Sequence, residues 1–123
     1  SRGIGSAIAL SLAQLGANVT IDYLSNDERA QHTKQHIENE ADAQGRVITC
    51  KADVTDETQV NELAQTTANT FGGIDILINN AGISYIGVLD AMSIDSWNNV
   101  IQTNLTSVFS CCKCSNRGIR QSC

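Results

Sequence analysis

Proline is absent from all 123 residues, and aromatic side chains make up only 4% of them. No Pro-rich linker divides the chain, and neither a repeat nor a low-complexity tract is visible. Apolar runs are short. None approaches the ~20 residues of a membrane span. Basic residues are also scarce, 8 against 13 acidic ones for a formal net charge of −5. With a pI near 4.7 and no Lys/Arg block, nucleic acid and an anionic membrane surface are not the expected partners. An anionic cofactor stays open, because a few backbone amides and one arginine suffice to bind a phosphate. An initiator methionine and a signal-like opening are missing too: the sequence starts Ser1-Arg2-Gly3 and reads as an internal fragment of one domain. Five cysteines are present, four of them (Cys111, Cys112, Cys114, Cys123) crowded near the C-terminal end. They read as reduced thiols of a cytoplasmic protein.

The apolar pattern alternates between helix and strand periods. Ile4, Ile8, Leu12 and Leu15 make a helical stripe closed by Gly16, and Ala17–Tyr23 then reads as a β-branched strand. A polar helix follows from about Asp27 to Gln44, its narrow stripe being Ala30, Ile37 and Ala41, and Gly45 leads into a second strand, Arg46–Cys50. Val60, Leu63, Ala64, Ala68 and Phe71 mark the next helix, stopped by Gly72-Gly73. Ile74–Ile78 is nearly all apolar, as a strand buried on both faces would be. After a loop from Asn79 to about Ser93, one long helix is expected, with Trp97, Val100, Ile101, Leu105, Val108, Phe109 and Cys112 on its apolar stripe. This order predicts an α/β fold, a Rossmann-type doubly wound parallel sheet with helices on both faces.

Chemistry concentrates at the ends of the expected strands. Gly3-x-Gly5 opens a helix, where glycines allow close approach to a pyrophosphate and the helix terminus offers free N–H groups. The same residues also suit an ordinary tight turn. No Gly-Lys-Ser/Thr follows, which excludes a P-loop. Asp22 lies near the place of a ribose-binding acid, or is an exposed strand-end carboxylate. Asp53-Val54 and Asn79-Asn80-Ala81-Gly82 each follow a strand, so three loops converge at the edge where ligands of open α/β sheets bind. Taken singly, Asp53 is a helix cap and the asparagines a turn. Asn104 is an amide on the apolar stripe of the last helix, needing partners if buried. Cys111-x-x-Cys114 has ligand spacing, but it lies in a helical pattern with no second pair, so no metal is assigned. His32 and His36 fall on the polar helix as surface residues, and no Ser-His-Asp set is apparent.

Ser1-Arg2-Gly3-Ile4-Gly5, Asp53-Val54, Asn79-Asn80-Ala81-Gly82 and Asn104 through Phe109, in this order and spacing, resemble the classical short-chain dehydrogenases/reductases. The 3-oxoacyl-[acyl-carrier-protein] reductase branch is the most similar, with bacterial-type glucose dehydrogenases beside it. The likeness covers essentially the whole chain. It implies an oxidoreductase moving hydride between NADP(H) and a carbonyl or alcohol substrate, the intact protein being a homo-oligomer, dimer or tetramer. It implies that Ser1, Gly3, Ile4 and Gly5 form the pyrophosphate turn and that Arg2 faces the adenosine 2′-phosphate. Asp53 and Val54 would hold the adenine, and Asn80, Ala81 and Gly82 would line the adenosine ribose, while Asn79 steadies the central sheet. Asn104 matches the asparagine of the catalytic tetrad, whose helix carries a water in the proton relay. The NAD-selecting acid of the family would fall at Tyr23 rather than Asp22, which with Arg2 favours NADP, although NAD remains an alternative and Leu24 stands where many NADP-binding relatives have arginine.

The departures from the family pattern are large. The strand and first glycine that should precede Ser1 are not in the sequence, nor are the catalytic serine and the Tyr-x-x-x-Lys pair. Neither Tyr23 nor Tyr85 is followed by lysine four residues later. The resemblance therefore implies the cofactor-binding half of a reductase, itself inactive, with a sugar dehydrogenase or a non-catalytic dinucleotide-binding protein as alternatives. In the strand order 3-2-1-4 the first strand is central. Without it, two unpaired edges are expected to be exposed, and the isolated chain to be prone to aggregation.

Overall fold

β-branched side chains suit a pleated, half-buried surface, and two such runs build the sheet. In a computed structural model, which describes residues 3–116, β1 (Val19–Tyr23) and β2 (Val47–Lys51) pair in parallel, from Val19 opposite Val47 to Tyr23 opposite Lys51. Helix α1 (Ile4–Gln14) precedes β1, and α2 (Asp27–Glu40) crosses from β1 to β2. Helix α3 (Glu57–Phe71) follows β2. A short 3₁₀ turn at Leu89–Ala91 leads to α4 (Ile94–Ile101), which passes through a π-helical turn, Gln102–Thr106, into α5 (Ser107–Asn116). No helix of the described residues is long and apolar enough to cross a membrane.

Side-chain caps start the helices where the sequence supplies them. Asn26 accepts from the Arg29 N–H at 2.9 Å, and Asp56 accepts from those of Thr58 and Gln59 at 2.8 and 3.3 Å. Each such cap is worth about 1 kcal/mol. Gly72 ends α3 in the left-handed region at φ 83°. Helix α2 ends at Glu40, before Gln44, because Asp42 turns at φ 48° and the Ala43 N–H reaches back to the Glu38 carbonyl at 2.8 Å.

Two apolar cores form. Ala13, Val19, Ile21, Ile37, Ala43 and Val47 make the first, with Ala9, Leu10, Leu12 and Ala41 packed on it. The second joins Val60, Ala64, Ile74, Cys111 and Cys114, with Val54 at its margin. Ile37, Val47 and Val60 are the largest fully buried side chains, each worth about 1.5–3 kcal/mol on the area scale. Of the expected α1 stripe, Leu12 packs on the first core and Ile8 is half-buried, whereas Ile4 and Leu15 at the two ends of the helix are exposed; Ala13 is the fully buried residue.

The Ile74–Ile78 segment corrects a second expectation. Ile74 makes an isolated bridge, but residues 75–86 carry neither strand nor helix, and Ile76 and Ile78 are 59% and 46% exposed. A strand exists only through its neighbours, and the described sheet contains β1 and β2 alone. The long last helix is likewise modified. The π turn adds a residue to its period, so Ser107, Cys111, Cys114 and Ser115 are buried while Trp97, Leu105 and Phe109 lie exposed.

Arg46 fastens the first core from its rim. Its guanidinium donates to the carbonyls of Ala13 (3.3 Å), Ala17 (2.8 Å) and Asp42 (3.4 Å), tying the end of α1 to the exit of α2. Arg46→Ala is expected to lower unfolding stability by about 1.5–3 kcal/mol. Arg46→Lys should recover only part, since a single ammonium cannot span the fork. Urea midpoints of the three proteins check this, and an unchanged midpoint for Arg46→Ala contradicts it.

Candidate functional site

The turn into α1 is built on glycine. Gly3 sits at φ 72°, ψ −136°, a conformation readily reached only without a Cβ, and no side chain caps the helix start. The first N–H groups of α1 thus keep their capacity for an anion. Gly5 serves another purpose. A Cβ there would fall 2.6 Å from the Asn80 amide nitrogen, so the missing side chain is what lets Asn80 lie against the first turn of α1.

The loop after β2 is held by its own side chains. Asp53 Oδ1 accepts from the Thr55 N–H (2.9 Å) and hydroxyl (2.6 Å), and the Asp53 N–H donates to Gln59 Oε1 (2.9 Å). The α3 cap is Asp56, not Asp53. Val54 packs on the second core. Gln102 Nε2, in the π turn, donates to the Thr55 carbonyl at 3.3 Å and links this loop to the last helix.

Asn104 occupies the same π turn. Its Nδ2 donates to the Ile83 carbonyl and its Oδ1 accepts from the Ile83 N–H, both at 2.8 Å. Gly82 lies beside it, where a Cβ would stand 3.4 Å from Asn104 Oδ1. The amide is exposed rather than buried, and its partners are one backbone unit of the facing loop. Asn79 also turns toward this helix, donating to Cys112 Sγ at 3.7 Å, rather than toward a strand.

These loops meet around a cleft of about 430 Å³ bounded by Gly5, Ile8 and Leu12 of α1, Val19–Asp22 of β1, Val54, Val60 of α3, residues 74–81, and Cys111 of α5. Gly5, Val54, Asn80 and Ala81 are thereby brought together, with Asp53 adjoining Val54 and with Gly82 tied to Asn104. Ser1 and Arg2 lie outside the described residues. Among those described, no group of His, Cys, Asp and Glu is placed to hold a metal ion. Residues that pattern reasoning missed are Gln102, whose amide has no sequence signature, and the Ile83 backbone. Missed too is the small cluster of Tyr23, Asp27 and Lys51, in which Lys51 Nζ lies 3.4 Å from Asp27 Oδ1.

Asp22 is the electrostatic exception. It is not the exposed strand-end carboxylate of the simpler reading: its Oδ1 is buried with no hydrogen-bond partner. Burial pushes its pKa up to about 6, opposed by the backbone N–H groups of Tyr23 and Ala52 and helped by Asp53. Burial, with the Asp22 charge, also raises the Cys50 and Cys111 thiols. Neither cysteine is therefore an activated nucleophile.

The family model for short chain dehydrogenase matches residues 1–120. The chain belongs to the short-chain dehydrogenase/reductase family, a family of oxidoreductases. It is 40% identical over 116 residues to a short-chain type dehydrogenase/reductase of Picea abies, covering 90% of this chain and 43% of the relative. It is 38% identical over 112 residues to the 3-oxoacyl-[acyl-carrier-protein] reductase of Staphylococcus aureus (strain Mu50 / ATCC 700699), covering 90% and 44%. Among solved structures, a short-chain dehydrogenase of Burkholderia cenocepacia J2315 in complex with NADP superposes with a TM-score of 0.87 at 39% identity, over 96% of this chain and 47% of that one. The chain spans a little under half the length of these relatives. The Rossmann-type class expected from the sequence agrees with these neighbours, of whose fold this chain covers about half.

The Asp22 environment has a measurable consequence. Because folding raises its pKa from 3.8 to about 6, the native state holds a proton that the unfolded chain has released between those values. Stability should therefore fall as pH rises through that window and stay lower above it. Asp22→Asn is expected to raise Tm at about pH 7.5 and to leave it unchanged near about pH 3.5. An equal Tm difference at both pH values would refute this origin of the effect.

Proposed function

We propose that residues 1–123 are the partial NAD(P)-binding domain, the cofactor-binding half, of an NADP(H)-dependent oxidoreductase acting on a carbonyl or alcohol substrate, with a 3-oxoacyl-type thioester favoured. The observation that carries this reading is the close approach of Asn80 to Gly5, which gathers the α1 turn and the Asn79–Gly82 loop at one cleft mouth. The glycine cradle and the uncapped α1 terminus fit a pyrophosphate-bearing dinucleotide. When bound, the nicotinamide supplies or accepts the hydride.

The chain's own residues then have distinct tasks. Gly3, Ile4 and Gly5 present backbone N–H groups to the pyrophosphate, with Ser1 in the same turn. Arg2 pairs with the 2′-phosphate through a charge-assisted contact. Asp53, held by Thr55, and Val54 position the adenine edge, and Asn80, Ala81 and Gly82 line the ribose. Asn104 spends its amide on Ile83, so it acts as a positioning residue. It fixes the loop beyond Gly82 while the π turn opens the helical ladder to a relay water. Tyr23, at the strand end where an acid would select NAD, supports NADP. The relative from Staphylococcus aureus supports the thioester class. The exposed face of Trp97, Leu105 and Phe109 supports a homo-oligomer of the intact protein.

Lacking the serine and Tyr-x-x-x-Lys, the 123-residue chain is expected to bind without turnover. Calorimetric titration should give NADP an affinity about tenfold above that of NAD, a difference of about 1.4 kcal/mol, and Arg2→Ala should erase it. NAD binding at least as tightly would overturn the cofactor assignment. A folded chain that binds neither dinucleotide would overturn the reading itself.

A further inference from the structure

One turn of the last helix holds two loops of the site at once. The π turn Gln102–Thr106 carries Gln102 and Asn104 two positions apart, and residues so spaced do not share a helix face. Asn104 therefore reaches the loop beyond Gly82, closing both of its amide bonds on Ile83 at 2.8 Å. Gln102 reaches the loop after β2, where its Nε2 donates to the Thr55 carbonyl at 3.3 Å. Thr55 is itself locked to Asp53, whose Oδ1 accepts from its N–H at 2.9 Å and from its hydroxyl at 2.6 Å. An unbroken line of contacts thus runs from the Asp53 carboxylate through Thr55 and Gln102 to Asn104 and the Ile83 backbone.

The turn itself gives this line its importance. Its Gln102 carbonyl accepts from the Ser107 N–H in the wide π register, and the Ser107 hydroxyl takes the Thr103 carbonyl at 2.5 Å. The α-helical ladder is interrupted there, so outside anchors share in fixing where the turn sits. Gln102 supplies such an anchor from an exposed position and belongs to neither core. At 3.3 Å its bond lies just beyond the usual N–H···O range, with room to shorten when the loop is drawn in. We propose that Gln102 is a positioning residue that couples the loop receiving the adenine to the seat of Asn104. Cofactor held at Asp53-Val54 draws in the Thr55 carbonyl, and Gln102 carries that constraint across the turn to the clamp of Asn104 on Ile83. The proposal rests on Asp53-Val54 being the adenine loop of the proposed function. Asn104 is then firmly seated once the adenine end of the dinucleotide is in place.

The test uses the intact protein that carries these residues and adenosine 2′,5′-bisphosphate, the adenine end of NADP without its nicotinamide. Hydrogen exchange at the Ile83 N–H reports the clamp directly, because Asn104 Oδ1 is its acceptor. Saturating bisphosphate is expected to slow that exchange at least about threefold in the parent protein. In Gln102→Glu, which keeps the size and loses the donor, bisphosphate affinity should stay within about threefold of the parent while the Ile83 response disappears. Gln102→Lys restores a donor and should restore the response. A response of parental size in Gln102→Glu, or none in the parent at saturation, overturns the proposal. Without ligand, Asp53→Ala and Gln102→Glu should each speed Ile83 exchange, and the double variant should be no faster than the faster single one. Additive effects there overturn the tie through Gln102. Bisphosphate that does not bind the parent refutes the adenine assignment, and the ligand-free comparison then decides the role of Gln102 by itself.

Discussion

Every buried N–H and C=O must find a partner, and among the described residues the strand partner of β1 is β2. This pairing organises α1 and α2 into the first core. The α3–α5 layer packs on itself, with Lys113 reaching Glu57 at 2.6 Å, and faces the sheet across a cleft. A hydroxyl contact, Thr67 to Thr20 at 3.0 Å, spans directly from α3 to β1.

The site inherits this arrangement. Gly5 belongs to the layer of the first core, Asn80 and Asn104 to the far wall, and Asp53-Val54 to the passage between them. Each is fixed by a local device: a missing Cβ, a backbone clamp, or an Asx turn closed by Thr55. The loops are therefore ordered by direct contacts of their own residues.

Much of this was legible in the sequence because it is local. The Asp and Asn caps, the Gly72 stop and the β-branched runs of β1 and β2 depend on neighbours within a turn or two. The motif spacing located the converging loops for the same reason. An apolar run such as Ile74–Ile78 records that a segment wants burial, while a strand also needs a ladder partner beside it, which residues 75–78 do not have among the described residues. The orientation of Asn104 was hidden because one extra residue in a π turn rephases the helix without leaving a compositional mark. Asp22 was ambiguous because alternation along a strand gives its face but not the dielectric behind it.

The separation of the two cores has a further meaning for how the chain comes into being. The first draws only on residues between Ala9 and Val47, and the second only on residues between Val54 and Cys114. Their sequence segments do not interleave. On a ribosome, which releases about 5–20 residues per second, the first core can close while the residues of the second are still being synthesised. Its largely local contacts favour rapid closure. The two cores can thus form in sequence order, the second packing against a β1–β2 pair that is already in place.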